Sequence, residues 1–203
     1  MIYEMRTYRL RPGTLAEVER RFARAYRHRR AYSPLAACWH TEIGRLDEIV
    51  HVWPYADLSE RARVRAAAYA DPQWPPRIQP FLVHMRSEIL VPLPFVPPLG
   101  PGRRGPVYEL CSYELVPGAL PGLLARWQSA RGPRRAPASL VLAGVVDLGE
   151  VNRVIQVWAY RSLAQRAASR ARQATAALGT LPEAALVARA SAIMRPSAFS
   201  PLQ

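Results

Sequence analysis

Near the start of the chain Glu4, Arg6 and Tyr8 occupy every second position, and further on His51, Trp53 and Tyr55 do the same. In an extended strand alternate side chains share a face, so each triplet presents its polar and aromatic groups together. The chemistry such groups could do is that of an enolate or carboxylate site. His51 would act as a general base near neutral pH. Arg6 would hold the developing anion and Tyr8 would donate a hydrogen bond to it. Trp53 would stack an aromatic substrate, with Glu4 and Tyr55 completing the binding wall. His40 and His84 are alternative bases, and His84 also belongs to the substrate-binding set. The competing reading is structural: Glu4 and Arg6 pair with each other or across the sheet, Trp53 fills a core, and the histidines are satisfied or solvated.

All 4 histidines (His28, His40, His51 and His84) lie in the first half of the chain, so a site built on them is single and one-sided. A metal centre needs several convergent ligands, and no His/Cys spacing of that kind occurs. A haem would need one axial histidine, which His40, His51 or His84 could supply; haem is kept as an alternative to the leading expectation of no bound cofactor and no metal. Glycine-rich phosphate loops, GxSxG and HExxH are absent from the sequence. Cys38 and Cys111 fall one in each half without a CxxC, which reads as two buried small apolar residues.

The elements that must position these residues follow from periodicity. Residues 2–10 alternate and are rich in tyrosine, which predicts a strand, ended by Pro12-Gly13. Leu15, Val18, Phe22, Ala25 and Tyr26 recur at helical spacing within 14–30. Residues 35–43 and 47–55 predict a hairpin turning at Gly44. Asp57 with Glu60 has capping-box spacing at the start of a second helix, and residues 81–91 supply a fourth strand. The order β-α-β-β-α-β is that of a ferredoxin-like unit, with two helices on one face of an antiparallel sheet.

This unit is written twice. IYEMRTYRLRPG at 2–13 returns as VYELCSYELVPG at 107–118, and GRLDEIVHVWPY from Gly44 returns as GEVNRVIQVWAY from Gly149, both at an offset of 105. Ser162 with Gln165 repeats the capping spacing, and SEILVPLPFVP from Ser87 matches SAIMRPSAFSP from Ser191. The duplication predicts domains at 1–91 and 107–203, joined by a semi-rigid Pro/Gly-rich linker at 92–106. A half-apolar sheet face cannot be left to water, and a tethered second copy is its obvious cover. The expected fold is therefore α+β: tandem ferredoxin-like units whose antiparallel sheets face each other as a pseudo-dimeric α/β barrel, in a monomer or a homodimer. On this reading Val50 and Val52 face the helices together with Tyr3, Met5 and Thr7, while Glu4, Arg6, Tyr8, His51, Trp53 and Tyr55 point into the barrel. A barrel interior packed solid with side chains would overturn the reading of a small-molecule enzyme or binder of the barrel type.

Composition narrows the partners. The net charge is +13, yet all 28 basic residues are arginine, a bias that suits a GC-rich coding sequence better than a selected nucleic-acid surface. No nucleic-acid module accompanies it. The densest cluster, RRFARAYRHRR at 20–30, reads as a solvated helix end favoured by the helix dipole; an anionic ligand or a protein partner docking there is the alternative. No apolar run is long enough to span a bilayer and the N-terminus lacks the order of a secretory signal, so the expected location is cytoplasmic.

Four ordered motifs carry a family resemblance: YEMRTYRLRPG at Tyr3–Gly13, TEIG at Thr41–Gly44, HVWPY at His51–Tyr55 and SEILVP at Ser87–Pro92. With them the chain resembles the NIPSNAP family of the dimeric α/β-barrel superfamily, as two tandem domains. The resemblance implies the ferredoxin-like barrel. Related barrels include cofactor-free monooxygenases, polyketide cyclases, isomerases and haem proteins, so what it implies for activity is a cyclase-, isomerase- or monooxygenase-type reaction on a hydrophobic, aromatic or polyketide-like compound. A non-catalytic scaffold using the arginine-rich helix face is the alternative. The second copy departs from the motifs at Cys111, Val146-Asp147-Leu148 and Gln156.

Overall fold

A computed structural model describes residues 1–129, 139–173 and 183–203. Each half folds as strand, helix, hairpin, helix, strand. The first has β1 (Ile2–Leu10), α1 (Leu15–Arg29), β2 (Ala37–Ile43), β3 (Glu48–Tyr55), α2 (Leu58–Tyr69) and β4 (Leu82–Pro92). The second repeats this as β5 (Val107–Leu115), α3 (Leu120–Ser129), β6 (Leu140–Leu148), β7 (Arg153–Tyr160), α4 (Leu163–Gln173) and β8 (Leu186–Pro196). Gly13 and its echo Gly118 end their strands at φ 77° and 86°, a left-handed turn that disfavours residues with a Cβ. The capping boxes form as their spacing predicts: Asp57 accepts from the Glu60 backbone N–H at 2.8 Å and Ser162 from that of Gln165 at 3.1 Å.

The eight strands close into one antiparallel barrel in the order β1-β3-β2-β8-β5-β7-β6-β4. The two sheets do more than face each other, because their edges hydrogen-bond at two seams, β2 with β8 and β4 with β6. Closure removes the free strand edges of each unit. An eight-stranded barrel is just wide enough to be filled by side chains. Here Tyr3, Met5, Trp39, Val50, Val52 and Leu90 of the first half interdigitate with Tyr108, Ile155, Val157 and Met194 of the second.

That filling rules out the expected ligand site inside the barrel and reverses the expected faces. Val50, Val52, Tyr3 and Met5 point into the barrel, whereas Tyr8, Trp53 and Tyr55 pack beneath the helices with Val18, Phe22 and Val64. Both faces of β1 and β3 are buried, so alternation identifies which residues share a side but not which side it is. The interior takes apolar residues of every size, Trp39 and Tyr108 included. The groups that need polar partners lie on the helix side, where Arg61 and Arg65 of α2 reach Glu4 and Trp53 reaches His51.

The connection at 92–106 packs rather than dangles. Leu93, Phe95 and Val96 join the helix-side core of the second unit, and Leu99 enters the barrel cluster with its N–H on the Tyr3 hydroxyl at 2.7 Å. The chain after β8 makes the reciprocal visit, stacking Phe199 on Phe22 of α1 at 5.4 Å. At the other barrel mouth lies a cleft of 370 Å³ bordered by Glu88, Ser112 and Arg153. Arg153 holds Glu88 across the two halves at 2.7 Å, and the pair is 8% and 1% exposed. Arg86 also reaches Glu88, at 3.2 Å, so removing Arg153 leaves the carboxylate partly paired and costs about 1–2 kcal/mol. Arg153→Ala should therefore lower the thermal midpoint by roughly 2–8 °C, readable by calorimetry.

Candidate functional site

Between the first-half sheet and its helices lies a cavity of 220 Å³, bordered by Arg6, Tyr8, His51, Trp53 and Tyr55 from β1 and β3. The cross-strand register explains why these residues meet: Arg6 pairs with His51, and Glu4 with Trp53. α1 adds Phe22 and Arg29, α2 adds Arg65 and Tyr69, and the segment after α2 adds Trp74, Pro75 and Pro76. Of the eight residues expected from sequence, five border this cavity. Glu4, His40 and His84 do not.

His51 is 2% exposed and caged by aromatic rings, with Tyr8 at 4.8 Å, Phe22 at 5.0 Å and Trp53 at 5.9 Å between centroids. The Trp53 indole N–H donates to His51 Nδ1 at 2.6 Å. Nδ1 is therefore the acceptor, and in the neutral ring the proton sits on Nε2, which is buried without a partner. Burial, followed by the positive charge of Arg6, pushes the imidazole pKa down to about 3. The expected general base is thus a neutral hydrogen-bond donor. A depressed histidine pKa means that the unfolded chain takes up a proton first, so stability falls as pH drops from about 6.5 towards 3. His51→Gln should flatten that fall in thermal midpoint while keeping the indole satisfied. The second half already makes this exchange, where the Trp158 N–H donates to Gln156 Oε1 at 3.0 Å.

Glu4 has a structural task. Fully buried, it accepts from Arg6 at 2.8 Å, Arg61 at 2.7 Å, Arg65 at 3.2 Å and Ser87 at 2.8 Å. Burial alone would raise its pKa, but Arg61, Arg65 and Arg6 outweigh that and hold it at about 2. The arrangement recurs in the second half, where Glu109 is held by Arg166 at 2.5 Å and Arg170 at 2.9 Å. An anchor present in both copies ties the second helix of each unit to its sheet. His40 contacts Glu19 of α1 at 2.9 Å, near the β2–β8 seam, where Ser197 reaches the same carboxylate. His84 lies exposed on β4.

Arg6 is spread over two partners, Glu4 and the Tyr8 hydroxyl, to which its Nε donates at 2.6 Å. The Tyr8 proton remains available to a ligand. Burial raises the Tyr8 pKa against the lowering effect of Arg6, so the phenol stays protonated. Arg29, absent from the sequence reading as a site residue, is 3% exposed. It donates to Tyr55 Oη and Ser33 Oγ at 3.0 Å and lies over the Trp53 ring at 4.5 Å. No carboxylate pairs with it among the described residues, and burial lowers its pKa. A signal was present: positions 18, 22, 25 and 29 form the buried stripe of α1, and an arginine on an apolar stripe is unusual.

The second half keeps the scaffold but not the cavity groups. Cys111 and Gln156 replace the paired Arg6 and His51, and the fully buried Trp127 stands where the first half has Phe22. Arg170 donates to the Cys111 sulfur at 2.6 Å, and burial pushes that thiol up to about 11, so it is not a nucleophile at neutral pH.

The NIPSNAP family model matches residues 3–97 and again 108–201. The chain belongs to the NIPSNAP family. It is 30% identical over 223 residues to the protein NipSnap homolog 3A of Homo sapiens, across 100% of this chain and 86% of that one. An uncharacterized NIPSNAP domain protein from Burkholderia xenovorans is 40% identical, with 48% of this chain and 99% of that one covered at a TM-score of 0.46. A putative monooxygenase from Fusobacterium nucleatum matches 97% of this chain and 92% of its own at a TM-score of 0.70. At 8% identity that likeness concerns the barrel fold alone. Within this NIPSNAP chain, no described helix is long and apolar enough to cross a membrane.

Proposed function

We propose that the first-half cavity binds a small aromatic or enolic compound as its oxyanion, and that the second half serves to close the barrel. The observation that carries this reading is an aromatic-walled space bordered both by His51, whose Nε2–H is unpartnered, and by the unneutralised Arg29. Arg6, Arg29 and Tyr8 supply further donors. Such groups stabilise negative charge strongly when water is excluded. The chemistry they serve is the enolate type shared by cyclases, isomerases and cofactor-free monooxygenases. No carboxylate is among the described residues bordering the cavity, Glu4 beneath it is engaged by three arginines, and His51 is not basic, so the site favours ligands that are already acidic. Its 220 Å³ suits one substituted ring, since cavities of about 150 Å³ hold benzene.

Haem draws no support from this geometry. His40 is engaged by Glu19, His84 is exposed, and the His51 cavity of 220 Å³, sized for one substituted ring, does not admit a tetrapyrrole. Native mass spectrometry of the purified protein tests the reading. It should release a compound with one acidic ring or enol per chain; a co-purifying cation or saturated lipid would contradict it.

A further inference from the structure

We propose that the groove on the outer side of α1 is a second site, built for the phosphate group of a small soluble molecule. The groove encloses 370 Å³ between α1 and the segment 72–77. Arg20, Arg24 and His28 border it from one row of the helix, spaced at i, i+4 and i+8, and Arg77 faces them from the opposite wall. No acidic residue borders it.

The polar side chains bordering the groove are not all engaged. Glu17 takes up Arg20 at 2.7 Å and Arg21 at 2.6 Å. Arg24, His28 and Arg77 have no side-chain partner among the described residues. The two walls are held at a fixed spacing, because Arg21 donates to the Arg77 carbonyl at 2.7 Å and lies over the Phe81 ring at 4.8 Å. Pro72, Pro75 and Pro76 stiffen the second wall. Guanidiniums approaching from opposite sides match a phosphate, whose oxygens point in several directions, better than a planar carboxylate. Pro75 and Pro76 border the aromatic cavity as well, so an anion bridging the groove also braces a wall of that cavity.

The test is calorimetric titration of inorganic pyrophosphate into the full chain at low ionic strength. The Arg24→Ala/Arg77→Ala double variant is compared with Arg11→Ala/Arg63→Ala, which removes the same charge at exposed positions away from the groove. One saturable site per chain is expected, weakened about tenfold or more in the groove variant and unchanged in the control. No saturable binding, or equal weakening in both variants, would overturn the proposal, since either would leave only the general effect of the +13 charge. A parallel arm uses phosphatidic-acid vesicles, to which both variants should bind alike. Selective loss of vesicle binding in the groove variant, with pyrophosphate not bound by the wild type, would mark a membrane-facing patch and refute the soluble-ligand site.

Discussion

Arg29→Met should weaken binding of an aromatic oxyanion about 100-fold while leaving the thermal midpoint within a few degrees of wild type. The affinity loss is that of one or two charge-assisted hydrogen bonds in a buried site, each about 1.5–3 kcal/mol. The stability change is small because two effects oppose. Losing Arg29 forfeits bonds to Ser33 and Tyr55 and a stacked contact with Trp53, about 1 kcal/mol for each neutral acceptor. It also removes a buried cation with no carboxylate beside it, an expensive group to desolvate. A residue that only filled core would behave differently, since its loss would lower stability in proportion to the cavity left. Calorimetry and ligand titration on the same preparation separate the two.

The second large effect is an asymmetry between equivalent positions. Arg6→Ala should abolish ligand binding, whereas Cys111→Ala should leave it unchanged. Arg6 orients Tyr8 through its Nε and borders the cavity beside His51. Its removal still leaves Glu4 two guanidiniums, from Arg61 and Arg65, so the fold persists. Cys111 sits in the apolar cluster of the second half with Trp127 and Trp158. Truncating it deletes one sulfur, at a cost of about 1 kcal/mol, and touches no part of the first-half cavity. Equal effects on binding would mean that both halves carry a site.

Much of this architecture can be read from the residues. The duplicated strand IYEMRTYRL and the tyrosine-rich alternation locate β1 and β5, and Asp57 and Ser162 mark the helix starts. Period-two alternation grouped Arg6 and Tyr8 on one face and His51, Trp53 and Tyr55 on another, and the β1–β3 register brings those faces together. The direction of that shared face was not legible. In a closed barrel covered by helices both sides of β1 and β3 are buried, so alternation alone does not tell inside from outside. Contributions from distant segments were also hidden. Trp74 and Pro75 approach Phe22 only because the chain after α2 folds back over α1, which no local spacing encodes. The role of His51 lay equally beyond sequence, because its proton placement depends on a Trp53 N–H two residues away. That spacing is visible in HVW, but its consequence for tautomer and basicity needs the side-chain geometry.

The Glu4 cluster illustrates how a repeat separates scaffold from site. Glu4, Arg61 and Arg65 recur as Glu109, Arg166 and Arg170 with the same contacts, as a shared structural device would. Arg6 and His51 change together to Cys111 and Gln156, at positions paired across the same two strands. A coupled change at one contact, inside an otherwise retained framework, is what loss of a cavity function from one copy would leave behind.

The most direct test of an oxyanion site in the first half is spectrophotometric titration of 4-nitrophenol with the purified protein just below the phenol's own pKa. A site that prefers the anion must lower the bound phenol's pKa, and the phenolate absorbs visible light. The expected result is growth of the phenolate band, saturating at one ligand per chain, lost in Arg6→Ala and Arg29→Met and retained in Cys111→Ala. A phenolate band that does not grow, or that grows equally in all of these variants, would contradict the account.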